Sequence, residues 1–183
     1  MIYLKPADLG FVRGPRPLSI LIRAAARTAF EGKTIINHIF GVSRHGDLRV
    51  ADIIESMNCI QEVNLYDEYN ETEREVEIWR PLNITDEDRE AIVYYARGFV
   101  GQKYPYRDLG LHFLDRIFFD TYFFRKFQSK KSMVCSRLWA SAYGRQNLNF
   151  GGNPEEINPD DIHDFVRATE GQYYRQILSL GEI

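Results

Sequence analysis

The sequence predicts an α+β domain, with an antiparallel sheet formed mainly by the first half of the chain and helices on both sides of it. Two observations lead there: short alternating apolar runs, rich in β-branched residues, cluster between residues 9 and 79, and apolar spacing of the helical kind sets in at residue 85. Leu9-Gly10-Phe11-Val12 reads as a short strand, broken by Arg13-Gly14-Pro15-Arg16-Pro17. Ser19 then caps a helix to about Phe30, whose apolar face carries Leu18, Ile22, Ala25, Ala26 and Ala29. Residues 35–43 and 48–55 form a predicted β-hairpin around the turn-rich Arg44-His45-Gly46-Asp47. Residues 60–65 and 76–79 supply two more strands, separated by an acidic loop over 67–75.

Thr85 starts the next helix: it is a capping residue, Asp86, Glu87 and Asp88 fill the first turn, and Ile92, Ala96, Phe99 and Val100 follow at helical spacing to a stop at Gly101. Residues 108–127 are dense in Leu, Phe and Tyr and lead into the basic pairs Arg125-Lys126 and Lys130-Lys131. A helix beginning at Cys135 should end near Gly144. Turns are expected at 151–154 and 158–160, and a last strand at 173–178.

The chain has 183 residues, 44% of them hydrophobic and 14% aromatic, enough for one domain over 1–183 with a core of its own. A formal net charge of −3 argues against a nucleic-acid binder driven by bulk phosphate attraction. Two cysteines, Cys59 and Cys135, do not make a disulfide framework, and no Cys/His spacing suits zinc. The opening residues show no basic segment followed by an apolar stretch, and no window approaches the ~18 apolar residues of a membrane span, so a cytoplasmic location is the default expectation.

Chemistry centres on Cys135. A thiol at a helix N-terminus meets first-turn N–H groups and the positive end of the helix dipole, which pull its pKa below the ordinary ~8.5 and favour the thiolate. The alternative is an inert cysteine on the buried stripe with Leu138, Trp139 and Ala142. His38, far upstream on a strand-like run with Phe40 and Val42, is the partner that folding would have to bring to it. Among the other histidines, His45 falls in the hairpin turn, His163 follows the Pro-Asp-Asp turn, and His112 sits within a segment built for packing. Glu55 and Asp52, on the adjoining strand, compete to orient His38, and period-two alternation sends them to opposite faces.

The ordered motifs Leu9-Gly10-Phe11-Val12-Arg13-Gly14, Asn37-His38-Ile39-Phe40-Gly41-Val42, Ile53-Ile54-Glu55, Gly101-Gln102-Lys103-Tyr104-Pro105-Tyr106, Val134-Cys135-Ser136-Arg137-Leu138 and Asn158-Pro159-Asp160-Asp161-Ile162 span nearly the whole chain. In that order they resemble the circularly permuted NlpC-type papain-like superfamily, most closely its YiiX-like branch, to which lecithin retinol acyltransferase is related. The resemblance implies a permuted papain-like fold with Cys135 as nucleophile, His38 as general base and then acid, and Glu55 as the orienting residue. It implies no metal or organic cofactor. The implied substrate is a peptide or other amide, cell-wall peptides included, with a lipid acyl group as the alternative. For the latter, residues 108–127 could touch a membrane surface. A catalytically silent binding or structural module is the reading from a different class. The chain departs from the family pattern at Ala7-Asp8, where Gly-Asp is usual, at Arg137, where an acidic residue is usual, and at Tyr104-Pro105 in place of Tyr-Asp.

Overall fold

The structure is a computed structural model, and it describes residues 2–14, 36–70, 72–103, 134–155 and 157–181. The helix expected over 19–30, the aromatic segment 108–127 and His112 lie outside the described residues. In chain order the elements are β1 (Tyr3–Leu4), β2 (Leu9–Arg13), β3 (His38–Arg44), β4 (Gly46–Asp47), β5 (Asp52–Ser56), β6 (Ile60–Asn64), α1 (Leu65–Tyr69), β7 (Glu75–Pro81), α2 (Asp86–Arg97), α3 (Cys135–Gly144), α4 (Pro159–Ala168) and β8 (Tyr174–Gly181). Six strands form one antiparallel sheet in the order β6-β5-β3-β2-β7-β8, and β1 pairs with β4 in a small second sheet. The molecule is thus a mixed α+β fold with helices packed on a multi-stranded antiparallel sheet. Among the described residues no helix is long and apolar enough to cross a membrane.

The expected hairpin forms between β3 and β5, with Phe40 opposite Glu55, Gly41 opposite Ile54 and Val42 opposite Ile53. Its second strand begins at Asp52 rather than at 48, because Gly46 and Asp47 are taken by β1 and the Asp47 carboxylate then accepts the Arg49 and Val50 N–H groups, at 2.9 and 3.2 Å, to make the turn. The loop expected over 67–75 is helical at its start. Asn64 caps α1 by accepting the Tyr66 and Asp67 N–H groups, and Leu65 and Tyr69, four residues apart, are both buried.

Thr85 and Asp88 form the predicted capping box of α2. The helix stops earlier than expected, with Gly98 as its cap, because Phe99, Val100 and Gln102 turn back toward β6. There Gly101, at φ +90°, donates to the Ile60 carbonyl, and the Ile60 N–H reaches the Gln102 carbonyl, each at 2.8 Å. The turn expected at 158–160 is instead the start of α4: Asn158 caps it, Pro159 occupies its first turn, and Asp161 closes a second capping box. The last strand is also longer than expected.

Strand alternation divides the core between the two faces of the sheet. Leu9, Phe11, Ile39, Ile54 and Trp79 pack with Ile92 and Val93 of α2, Leu138 and Trp139 of α3, and Ile162 and Val166 of α4. On the other face Val12, Phe40, Val42, Ile53 and Ile78 pack with Leu4 and with Leu65 and Tyr69 of α1. The chain enters β2 through Ala7, a buried residue in the left-handed region at φ 61°, whose carbonyl accepts the Tyr143 hydroxyl. Asp8 follows, fully buried, bound by Arg80 at 2.6 Å and by Arg89 at 3.3 Å.

Candidate functional site

His38 is the first residue of β3, and its position is fixed by the backbone on either side. The Asn37 N–H donates to the Val12 carbonyl and its side-chain oxygen accepts the Gly14 N–H at 2.8 Å, while the Ile36 N–H donates to Asp160 of α4 at 3.2 Å. His38 therefore enters the sheet at one end of β3, held by β2 and by the start of α4. It shares a face with Phe40, and Phe40 stands opposite Glu55, so the carboxylate of β5 lies on the histidine's side of the sheet. His38 Nε2 and Glu55 Oε2 are 3.1 Å apart. Asp52, the other carboxylate weighed for this place, instead pairs with Arg44 at 2.8 Å.

Glu55 is completely buried, and both oxygens of its carboxylate are hydrogen-bonded. Besides His38, Tyr69 Oη donates to Oε2 and Gln61 Nε2 donates to Oε1, both at 2.8 Å. Gln61 stands directly opposite Glu55 across the β5–β6 ladder. Burial alone would push this carboxyl up; the hydrogen bond and charge of His38, with Gln61 and Tyr69, hold it below the usual carboxylate range.

Cys135 opens α3 behind Val134, which offers no side-chain cap, so the first-turn N–H groups are not consumed by one. Cys135 is 6% exposed, and the His38 side chain with the backbone of Ile39 and Ser136 lies close enough to its thiol to bias its ionisation. Because Nε2 faces Glu55, the ring nitrogen left for the sulfur is Nδ1. Two features seat the helix, one against the segment before α4 and one against β3. Ser136 Oγ donates to the Ile157 carbonyl at 2.8 Å, and the Trp139 ring lies over Gly41 so closely that a Cβ there would fall 2.2 Å from a ring carbon.

The electrostatics follow from this arrangement. Burial pulls the imidazole down, but the hydrogen bonds and charges of Cys135 and Glu55 outweigh it and raise the His38 pKa to about 10. Burial likewise pushes the thiol up, and His38 with the backbone of Ile39 and Ser136 brings it below the usual thiol range. Both shifts run toward the same charged pair, a thiolate beside an imidazolium, backed by a carboxylate.

The remaining groups weighed from the sequence lie elsewhere. His45 is exposed and stacks on Tyr3 at 6.1 Å. Cys59 is half-buried in an isolated bridge to Lys103. Arg137 reaches Glu155 at 3.0 Å. His163 is a buried residue of α4, with Nε2 3.2 Å from Glu77 Oε2 and its ring against Phe11 at 5.0 Å. Glu77 also accepts Trp79 Nε1 and, at 2.9 Å, Gln176 Nε2. This second pair was missed because only the first residues of its helix, 158–160, carry a local signal and they read as a turn; the Asn158-to-Asp161 capping spacing is the signal that would have found it. Gln61 and Tyr69 were missed too, since neither residue type stands out without knowledge of which strand and helix lie beside Glu55.

A scan of protein-family models gives no match to the chain, and a search of curated proteins gives none either.

Proposed function

We propose that this protein is a cysteine-dependent hydrolase of the circularly permuted papain-like, NlpC-type kind, cleaving an amide or isopeptide bond through an acyl-enzyme on Cys135. The observation that carries the reading is His38 set 3.1 Å from a fully buried Glu55 and beside the helix-start thiol of Cys135, whose ionisation it favours. The histidine strand preceding the cysteine helix, the order the motifs resemble, supports the permuted form.

In this mechanism the Cys135 thiolate attacks the carbonyl carbon, and the oxygen takes up negative charge that main-chain N–H groups at the start of α3, including that of Cys135, stabilise. The His38 imidazolium then gives its proton to the leaving nitrogen, the C–N bond breaks, and a thioester remains on Cys135. Neutral His38 next takes a proton from water as the water oxygen attacks the thioester carbon; the C–S bond breaks, releasing the acid and restoring thiolate and imidazolium. Glu55 keeps Nδ1 aimed at sulfur and compensates the imidazolium charge. Peptide amides, including those of cell walls, are the proposed substrates.

Iodoacetamide labelling followed by peptide mass mapping tests the reading. At mildly acidic pH, Cys135 should be alkylated faster than Cys59 and faster than the same cysteine in unfolded chain, and His38→Ala should remove the advantage. Equal rates in folded and unfolded protein, unchanged by His38→Ala, would leave a silent binding module as the better description.

A further inference from the structure

We propose that Tyr69, seconded by Gln61, is a positioning residue of this site: its hydroxyl holds Glu55 as an oriented carboxylate, so that the Cys135–His38 ion pair persists into the acid range. The inference rests on the cysteine hydrolase reading and concerns a part of the site that the motifs do not include.

A carboxylate with no access to water loses its hydration and takes a proton unless donors replace it. Among the described residues Glu55 has three donors, arranged unequally. Oε2 is shared by His38 and Tyr69, and Oε1 is held by Gln61. His38 alone would leave the carboxyl free to turn about its last bond; the donors on both oxygens fix its plane and therefore the direction in which Nε2 is held. Tyr69 is itself immobilised. Its ring packs on Phe40 at 5.4 Å, the Arg74 guanidinium lies 5.4 Å from its centroid, and Arg74 is in turn anchored to Glu68 at 3.2 Å.

The phenol can only act as a donor in this place. Burial first, and then the charge and hydrogen bond of Glu55, push its pKa well above the ordinary value, so it remains protonated wherever the site works. Among the described residues the charged and titratable groups facing this end of the site are His38 and Cys135 from the catalytic side and Glu68 and Arg74 from α1 and the segment after it. Arg74 and Glu68 act on the phenol in opposite senses, so the carboxylate's charge is governed by its own three donors.

Losing one hydrogen bond to a charged group shifts a carboxyl by on the order of one pH unit. With Tyr69→Phe, Glu55 would accept a proton at higher pH, and a neutral Glu55 no longer supports an imidazolium. The test is the rate of Cys135 alkylation by iodoacetamide against pH, with thermal unfolding recorded for each variant. In Tyr69→Phe the acid limb should move upward by on the order of one pH unit, while the alkaline plateau stays within about threefold of wild type. Gln61→Ala, on the half-exposed side of the carboxylate, should move it in the same direction by less, and it carries the test if Tyr69→Phe does not fold. Limbs that overlay the wild-type profile in both variants, beside a wild-type limb that is depressed and abolished by His38→Ala, overturn this inference and leave the proposed function standing. An ordinary thiol limb in the wild type overturns both.

Discussion

Replacing Gly41 with alanine tests whether the contact between β3 and α3 sets the site. A Cβ on Gly41 would lie 2.2, 2.4 and 2.5 Å from three carbons of the Trp139 ring. Carbon atoms need about 3.5–4.0 Å, so either the ring or the strand must retreat by more than about 1 Å. Neither has room: Trp139 is fully buried in the main core cluster, and β3 is held between β2 and β5. Overpacking a filled core costs about 1–3 kcal/mol, and the absence of any flexible side-chain end here places this substitution near the upper figure. For a chain of this size about 3 kcal/mol lowers Tm by roughly 6–12 °C. The same displacement lifts α3 from the strand bearing His38, so Cys135 alkylation at mildly acidic pH should fall with the stability. Differential scanning fluorimetry and iodoacetamide kinetics read both. Gly41→Ala combined with Trp139→Leu should recover part of the stability, because the cost is steric and shared by the two positions. A Tm and an alkylation rate unchanged in Gly41→Ala would refute the packing argument.

Two further predictions concern groups outside the proposed chemistry. Ala7 sits at φ 61° with its side chain buried, so Ala7→Gly, which relieves strain of about 1–2 kcal/mol but loses a buried methyl and adds chain entropy, should leave urea stability within about 1 kcal/mol of wild type. Ala7→Val, branched at a positive φ, should instead lose several times that, and equal stability of the two variants would contradict the assigned backbone. Burial pushes the Glu77 carboxyl up, yet His163 first, then Trp79 and the Arg167 charge, bring it below its ordinary value of 4.5. A carboxyl lowered by folding contributes stability above its unfolded pKa and loses it as pH falls through the folded one. The urea midpoint should therefore drop less steeply below about pH 4.5 in Glu77→Gln than in wild type, and parallel slopes would show that the pair contributes no linkage.

Much of the sheet was legible because its signals are local. Alternation in Val12, Phe40 and Val42 against Phe11 and Ile39 identifies strands and their faces, and Thr85 with Asp88 marks a helix start from four residues alone. Helix ends were less legible. Phe99 and Val100 continue the helical spacing, but tertiary bonds to Ile60 claim the backbone there, and no periodicity records that competition. Gly46 and Asp47 looked like a simple turn because their partner, β1, lies more than forty residues upstream. Asn158-Pro159 illustrates another ambiguity: the same residues that make turns also start helices, and only the capping box three residues on separates the two. At the site, Cys135 and His38 announce themselves by chemistry; period two puts Glu55 and Asp52 on opposite faces, and the β3–β5 register then places Glu55 on the side of His38. Gln61 and Tyr69 do not, since their roles exist only through the β5–β6 register and the docking of α1.

The most direct measurement of the central claim is the ionisation of Cys135, followed through thiolate absorbance in the ultraviolet against a Cys135→Ser blank, in wild type and His38→Ala. His38 is raised to about 10, so its charge persists from the ordinary imidazole range until pH climbs through that value; Cys135 is lowered, so its charge appears before the ordinary thiol range and is lost as pH falls. Between those limits the ion pair should exist. The wild type should therefore show one thiolate at neutral pH, and His38→Ala should move its appearance to the ordinary thiol pKa of about 8.5 or higher. A wild-type thiolate that appears only at or above that value, with no change in His38→Ala, would contradict the assignment of Cys135 as an activated nucleophile.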